Sequence, residues 1–235
     1  MTDAEGEQLT MRHYSARRAY NSESAEDYEK TRFSGVLGRY RWEREQKAVR
    51  ELLKEIEPQS IIADIPCGIG RWWPLLSTRA SRIVGVDVSP AMLEKAECRA
   101  QSAAVPTELH LGDAEAIPLE DLSVDYVFSF ALTKHLPLAI QMRVLSEFAI
   151  VSRIGVITTC SIVTSGNYEF WRRRHLVESF PLIREQVADI CADYDLRVEK
   201  CLKCTSPLGV ERLFYLSKAS GGSLSGESPA LLGGD

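Results

Sequence analysis

A chain of 235 residues with 45% apolar and 26% charged residues has the makeup of a globular protein with room for one large core. Its net charge of −5 and pI near 5.5 argue against non-specific attraction to nucleic acid or anionic membrane, so no nucleic-acid partner is expected. No apolar run approaches the ~18–20 residues that cross a bilayer, and the acidic, polar opening MTDAEGEQLTMRHY lacks a signal peptide's apolar stretch. The expectation is a cytoplasmic protein with no membrane span.

Residues 1–27 are polar and read as a flexible arm. Residues 28–42 are aromatic and basic, interrupted by Ser34-Gly35 and Gly38, and predict a short helix, a turn and entry to a second helix. From Trp42 to Ile56 a helical rhythm puts Trp42, Val49, Leu52, Leu53 and Ile56 on one face, and Pro58 closes it. Together 28–58 form an expected N-terminal helical cover. Next comes SIIADIPCGIGRWWPLL at 60–76: an apolar run ending in Asp64, a glycine turn, and a helical pattern after Arg71. A buried strand, tight turn and helix start bring backbone N–H groups close to an anionic ligand.

A second strand, 82–87, also ends in an acid, Asp87. Ser89-Pro90 then starts a helix, with Ser89 as N-cap and Pro90 in the first helical position. Residues 107–111 form a third strand, followed by Gly112-Asp113-Ala114-Glu115, and 124–130 a fourth. A helix is predicted over 137–151, a fifth strand over 155–161 and another helix over 182–194. The last two strand-like runs, 196–203 and 211–217, are joined by a turn with Pro207 and Gly209, too short for a helix, so they pair antiparallel. Residues 219–235 are Gly/Ser-rich and read as a disordered tail. Alternating strands and helices imply an α/β, Rossmann-like doubly wound domain over 28–218. Its seven-stranded sheet is mostly parallel, edged by the C-terminal antiparallel hairpin.

Cysteines are scattered. Cys201 and Cys204 make a CxxC with no second Cys or His pair nearby, and their odd separation puts them on opposite faces of a strand. Free thiols in a reducing compartment are expected, with no metal site.

The candidate chemistry lies at the ends of the first three strands. Asp64, Asp87 and Asp113 would share one rim of the sheet, where strand C-termini line the binding crevice. Three carboxylates gathered there repel one another, and a nucleoside ligand supplies a reason to gather them. Asp87 would accept ribose hydroxyls, Asp113 the N–H of an adenine amino group, and Asp64 would face an ammonium. A nicotinamide dinucleotide would use Asp87 equally well. It leaves Asp113 unexplained, however, and the turn lacks a third glycine, with the bulky Arg71-Trp72-Trp73 in its place.

These segments resemble the class I S-adenosylmethionine-dependent methyltransferases, within them the small-molecule, ubiquinone-biosynthesis-like subgroup. Asp64-Ile-Pro66-Cys67-Gly68-Ile-Gly70-Arg71 is similar to their first motif, and Val86-Asp87-Val88-Ser89-Pro90-Ala-Met92-Leu93 to the second. Gly112-Asp113-Ala114-Glu115-Ala-Ile-Pro118 is similar to the third, and Asp125-Tyr-Val-Phe-Ser129-Phe130 with His135-Leu136 to the fourth. The likeness spans roughly 42–218. Pro66 departs from the common glycine, which fixes φ and removes one N–H.

The resemblance implies S-adenosylmethionine as cofactor and S-adenosylhomocysteine (SAH) as product. Gly68 and Gly70 would lie beside the methionyl part, Pro66, Cys67, Arg71 and Val88 around it, Met92 on the adenine face with Asp113 and Ala114, and Phe130 near the sulfonium. It implies methyl transfer to an oxygen, carbon or nitrogen of a small-molecule acceptor. A phosphorylated, carboxylated, isoprenoid or glycan- or lipid-linked acceptor fits best. His135 is the candidate base. Tyr28, Arg32, Phe33 and Arg39 in the cover, and Trp171 and Arg172 in the segment YEFWRRRH, are candidate substrate contacts. No metal is called for, and a monomer or homodimer is expected. A non-catalytic S-adenosylmethionine-binding regulatory or partner protein is the alternative. Methylation of a planar exocyclic or amide nitrogen is disfavoured, because Ser129-Phe130-Ala131-Leu132 replaces the Asn/Asp-Pro-Pro-aromatic signature.

Overall fold

The computed structural model describes residues 35–168, 170, 180–204 and 209–218. Seven strands form one sheet: β1 (Ser60–Asp64), β2 (Ala80–Asp87), β3 (Thr107–Leu111), β4 (Val124–Ser129), β5 (Ser152–Ser161), β6 (Leu196–Lys203) and β7 (Glu211–Lys218). Their order is β3-β2-β1-β4-β5-β7-β6. The first five pair in parallel, and β7 runs antiparallel to both neighbours. The expected antiparallel hairpin is therefore present with a twist in its placement: the last strand slots inside the sheet against β5, and β6 takes the edge. The strand order reverses between β1 and β4, where an open parallel sheet leaves a crevice beyond its strand ends.

Helices cover both faces. α1 (Gly35–Leu53), the single turn α2 (Trp73–Leu76) and α3 (Pro90–Ala100) lie on one side, and α4 (Leu138–Val151) and α5 (Arg184–Asp193) on the other. Strand alternation sends Ile62, Tyr126, Phe128 and Ile157 to the first face, and Ala63, Val127 and Val156 to the second. Cys204 joins the first core while Cys201 packs on the second, as their odd spacing requires, and all six cysteines are free thiols. Among the described residues no helix is long and apolar enough to cross a membrane.

Two helical boundaries differ from expectation. The break expected at Gly38 is absent, and α1 runs unbroken through Gly38 from Gly35, while Ser34 lies outside the described residues. Burial of Ala48, Val49, Leu52 and Leu53 against the sheet anchors the helix and offsets the ~1 kcal/mol propensity loss of one glycine. The helical pattern after Arg71, in contrast, yields only the four residues of α2. Ser89 caps α3 as expected, its side chain accepting from the Met92 N–H with Pro90 in the first turn.

Phe148 on α4 is fully buried in the second core. Phe148→Ala removes that ring and leaves a cavity, so urea unfolding should show a loss of about 3–5 kcal/mol. A change below about 1 kcal/mol would mean that α4 is not held by this face.

Candidate functional site

The crevice beyond β1, β2 and β4 is an open cavity of about 1030 Å³, counting the space at its mouth. Its wall brings together Pro66, Cys67, Gly68, Arg71, Asp87, Val88, Met92, Asp113, Ala114, Phe130 and His135, residues drawn from four separated segments. Ile69, Trp72, Glu115, Leu132, Leu136 and Val144 complete much of the lining.

The turn after β1 is shaped by its backbone. Ile65 N–H donates to the Phe128 carbonyl and Cys67 N–H to the Val86 carbonyl, each at 2.9 Å, so the turn hangs between β4 and β2. The Ile65–Pro66 peptide is cis. Gly68 has φ +54°, the left-handed region that disfavours a side chain, and a Cβ there would meet nothing within 4 Å. It is open to a ligand. Gly70 is different. With φ +74°, a Cβ there would fall 2.5 Å from the Trp73 ring, and Gly70 is buried and absent from the wall. Here it makes room for the Trp73 indole.

That indole has a second task. Trp73 Nε1 donates to Asp64 Oδ2 at 3.0 Å, while Asp64 Oδ1 is buried with no hydrogen-bond partner. Asp64 is 1% exposed and sits behind the cavity wall, not on it. Burial pushes its carboxyl up to about 8, against the opposing pull of the Trp73 N–H and the Arg71 charge. An orphaned buried oxygen beside a glycine turn fits a cationic ligand group that would satisfy it.

Asp87 is held from two sides. Its Oδ2 accepts from Gly68 N–H at 2.8 Å and its Oδ1 from Ser89 N–H at 2.9 Å. Burial still raises its carboxyl above the usual range, while these backbone N–H groups oppose the shift. Each oxygen keeps lone-pair capacity toward the cavity. Asp113 Oδ1 accepts from Glu115 N–H at 3.1 Å, an Asx-type turn that holds Ala114 on the wall. Met92 packs against Ile69.

His135 ends a 3-10 turn, Thr133–His135, whose Thr133 hydroxyl donates to the Thr159 carbonyl of β5. The neighbouring Lys134 pairs with Glu211 at the start of β7. The turn is therefore pinned to the sheet through the two residues that precede His135.

Sequence reasoning named Arg71 and Phe130 for the site but missed Glu45. The Arg71 guanidinium carbon lies 4.9, 5.4 and 5.5 Å from the ring centres of Trp72, Trp42 and Phe130, and Glu45 of α1 stands 3.9 Å from Arg71 Nη1. Glu45 falls three residues after Trp42 and four before Val49, so an acid interrupting the apolar face was the available signal. Arg39, by contrast, is exposed on the first turns of α1 and is not part of the wall. Tyr28, Arg32, Phe33, Trp171 and Arg172 lie outside the described residues, as do the arm and the tail. Among the described residues no cluster of His, Cys, Asp and Glu is arranged to hold a metal.

Residues 62–155 match the model of a methyltransferase domain. Residues 62–155 therefore carry a methyltransferase domain. The chain is 30% identical over 148 residues to malonyl-[acyl-carrier protein] O-methyltransferase of Serratia marcescens, covering 58% of this chain and 54% of that protein. It is 33% identical over 144 residues to the Yersinia pestis protein of the same name, covering 54% and 49%. The chain thus spans about half the length of these curated relatives. In fold, the methyltransferase domain resembles magnesium protoporphyrin IX methyltransferase from Synechocystis PCC 6803 with bound SAH. The TM-score is 0.69 at 15% identity, over 87% of this chain and 98% of that one.

The pH dependence of stability follows from Asp64. An unfolded Asp loses its proton near pH 4, and the folded one holds it to about 8. Between those values the folded state binds more protons, so this group makes stability fall as pH rises from 4 to 8. Asp64→Asn should flatten that slope in ligand-free protein and melt above the parent at pH 8.5. Parallel pH–melting curves for the two proteins would contradict the assignment.

Proposed function

We propose that this chain is an S-adenosylmethionine-dependent methyltransferase acting on a small anionic acceptor, at an oxygen, carbon or nitrogen. The observation that carries the reading is the convergence on one cavity of Gly68, Asp87, Asp113 with Ala114, and Phe130, from four segments spread over some sixty residues of sequence.

When bound, S-adenosylmethionine supplies a methyl group made electrophilic by its sulfonium. The chain's residues bind, orient and shield. Asp87, fixed by Gly68 and Ser89, turns its remaining lone pairs to ribose hydroxyls. Asp113 accepts from an adenine amino group, and Met92 packs on the ring. Phe130 and the apolar side chains of Leu132, Leu136 and Val144 keep water from the reacting centre. Positioning of this kind accounts for most of what transfer from an activated donor needs.

For the acceptor, two observations support an anion. The relatives above are named for a malonyl group on acyl-carrier protein, and a malonyl group presents a carboxylate. Helix α1 turns Arg39, Arg41, Lys47 and Arg50 outward from a chain that is acidic overall. His135, pinned on the wall, can take a proton from an acceptor that must lose one. Helix α1 meets the cavity wall through the Glu45–Arg71 pair.

Differential scanning fluorimetry tests the cofactor. SAH should raise the melting temperature, Asp87→Ala should abolish the rise, and NADH should give none. Stabilisation by NADH alone would replace this reading with a dinucleotide enzyme. Once an acceptor is in hand, His135→Ala should lower kcat about 10²-fold or more at unchanged SAH affinity. An unaltered rate removes His135 from the chemistry.

A further inference from the structure

We infer that Glu45 is the counter-charge that lets the Arg71 guanidinium share a cavity with a sulfonium, and that it thereby sets the preference for the cationic cofactor over its neutral product. The inference rests on the cofactor proposed above. Arg71 follows the glycine turn and lines the cavity, with only 8% of its side chain exposed. Trp72, Trp42 and Phe130 surround its guanidinium, and Phe130 is itself part of the cavity wall. Ring faces attract a cation without cancelling its charge. A second cation entering this cavity therefore meets the guanidinium's repulsion, little screened by water in so buried a place.

Glu45 supplies the opposite sign. Its side chain is 2% exposed, and at 3.9 Å from Arg71 Nη1 this contact acts by charge and not as a hydrogen bond. A buried carboxylate carries a desolvation cost that an apolar residue at this point of α1 would avoid, so stability alone does not select it. The two other carboxylates nearby are poor substitutes in the protein by itself. Asp64 holds its proton to about 8, and both oxygens of Asp87 are already engaged by the Gly68 and Ser89 N–H groups. With Glu45 in place, the Arg71 pair is neutral overall, and a sulfonium meets no net cation.

S-adenosylmethionine and SAH carry the same ammonium, carboxylate, ribose and adenine and differ by one methyl and one positive charge. The ratio of their affinities isolates the charge. Isothermal titration calorimetry on the full chain should show that Glu45→Gln weakens S-adenosylmethionine roughly tenfold more than SAH. Arg71→Met, which leaves the carboxylate without its cation, should move the ratio in the opposite direction and carries the test if Glu45→Gln does not fold. Equal losses for both ligands would instead assign Arg71 to the carboxylate they share and overturn the inference. Wild-type protein that binds neither ligand overturns the cofactor reading and this inference together. Wild-type binding with ratios unmoved in the variants overturns the inference alone.

Discussion

The Asp87 carboxylate accepts one backbone N–H from each of the two loops that shape the cavity, Gly68 from the turn after β1 and Ser89 from the start of α3. One side chain thereby fixes the distance between two loops far apart in sequence. Hydrogen bonds to an ionised acceptor are among the stronger ones a protein makes. Burial, however, favours the neutral form of this same group. The backbone donors of the two loops oppose that bias, and Asp87 holds the loops in register. Gly68 must be glycine for its φ, and the open space where its Cβ would stand is available because Asp87 anchors its N–H.

Behind that contact lies a packing requirement of another kind. Trp73 occupies space that only glycine leaves open at Gly70, and it lies 3.2 Å from where a Cβ of Gly85 would stand. Its indole N–H then reaches Asp64. The bulky tryptophan that seemed out of place beside a tight turn is thus the packing core of that turn. The result is a site whose charges are arranged in layers: Asp64 behind the wall, Asp87 and Asp113 on it, and Arg71 with Glu45 where α1 meets it. Each charge is matched by a backbone donor, a ring or an opposite charge.

Much of this was legible in the chain. Strand ends at Asp64 and Asp87 fall where the apolar runs stop, because a buried parallel strand needs an unbroken apolar sequence and its rim does not. Ser89-Pro90 marked the start of α3 through local capping chemistry alone. What escaped depended on contacts between distant segments. Nothing near Glu45 indicates that it meets Arg71, twenty-six positions later. Glycine spacing cannot distinguish Gly68, which faces the cavity, from Gly70, which faces a ring. The run through Gly38 was missed for a similar reason: tertiary burial of the later turns outweighs a local breaker. Strand order within the hairpin could not be read either, since antiparallel pairing of β6 with β7 leaves open which of them meets β5.

That last point reaches beyond the sheet itself. Strand β5 carries Thr159, whose hydroxyl accepts from Ala131 N–H on the cavity rim and whose carbonyl accepts from Thr133. Its far edge is covered only by β7, residues 211–218. On a ribosome, residues 60–161 emerge first and can assemble the five parallel strands, but with β5 as a bare edge of unpaired backbone groups. The nascent domain must therefore keep that edge from pairing with other chains until residue 218 has left the exit tunnel, and the wall beside His135 is completed last.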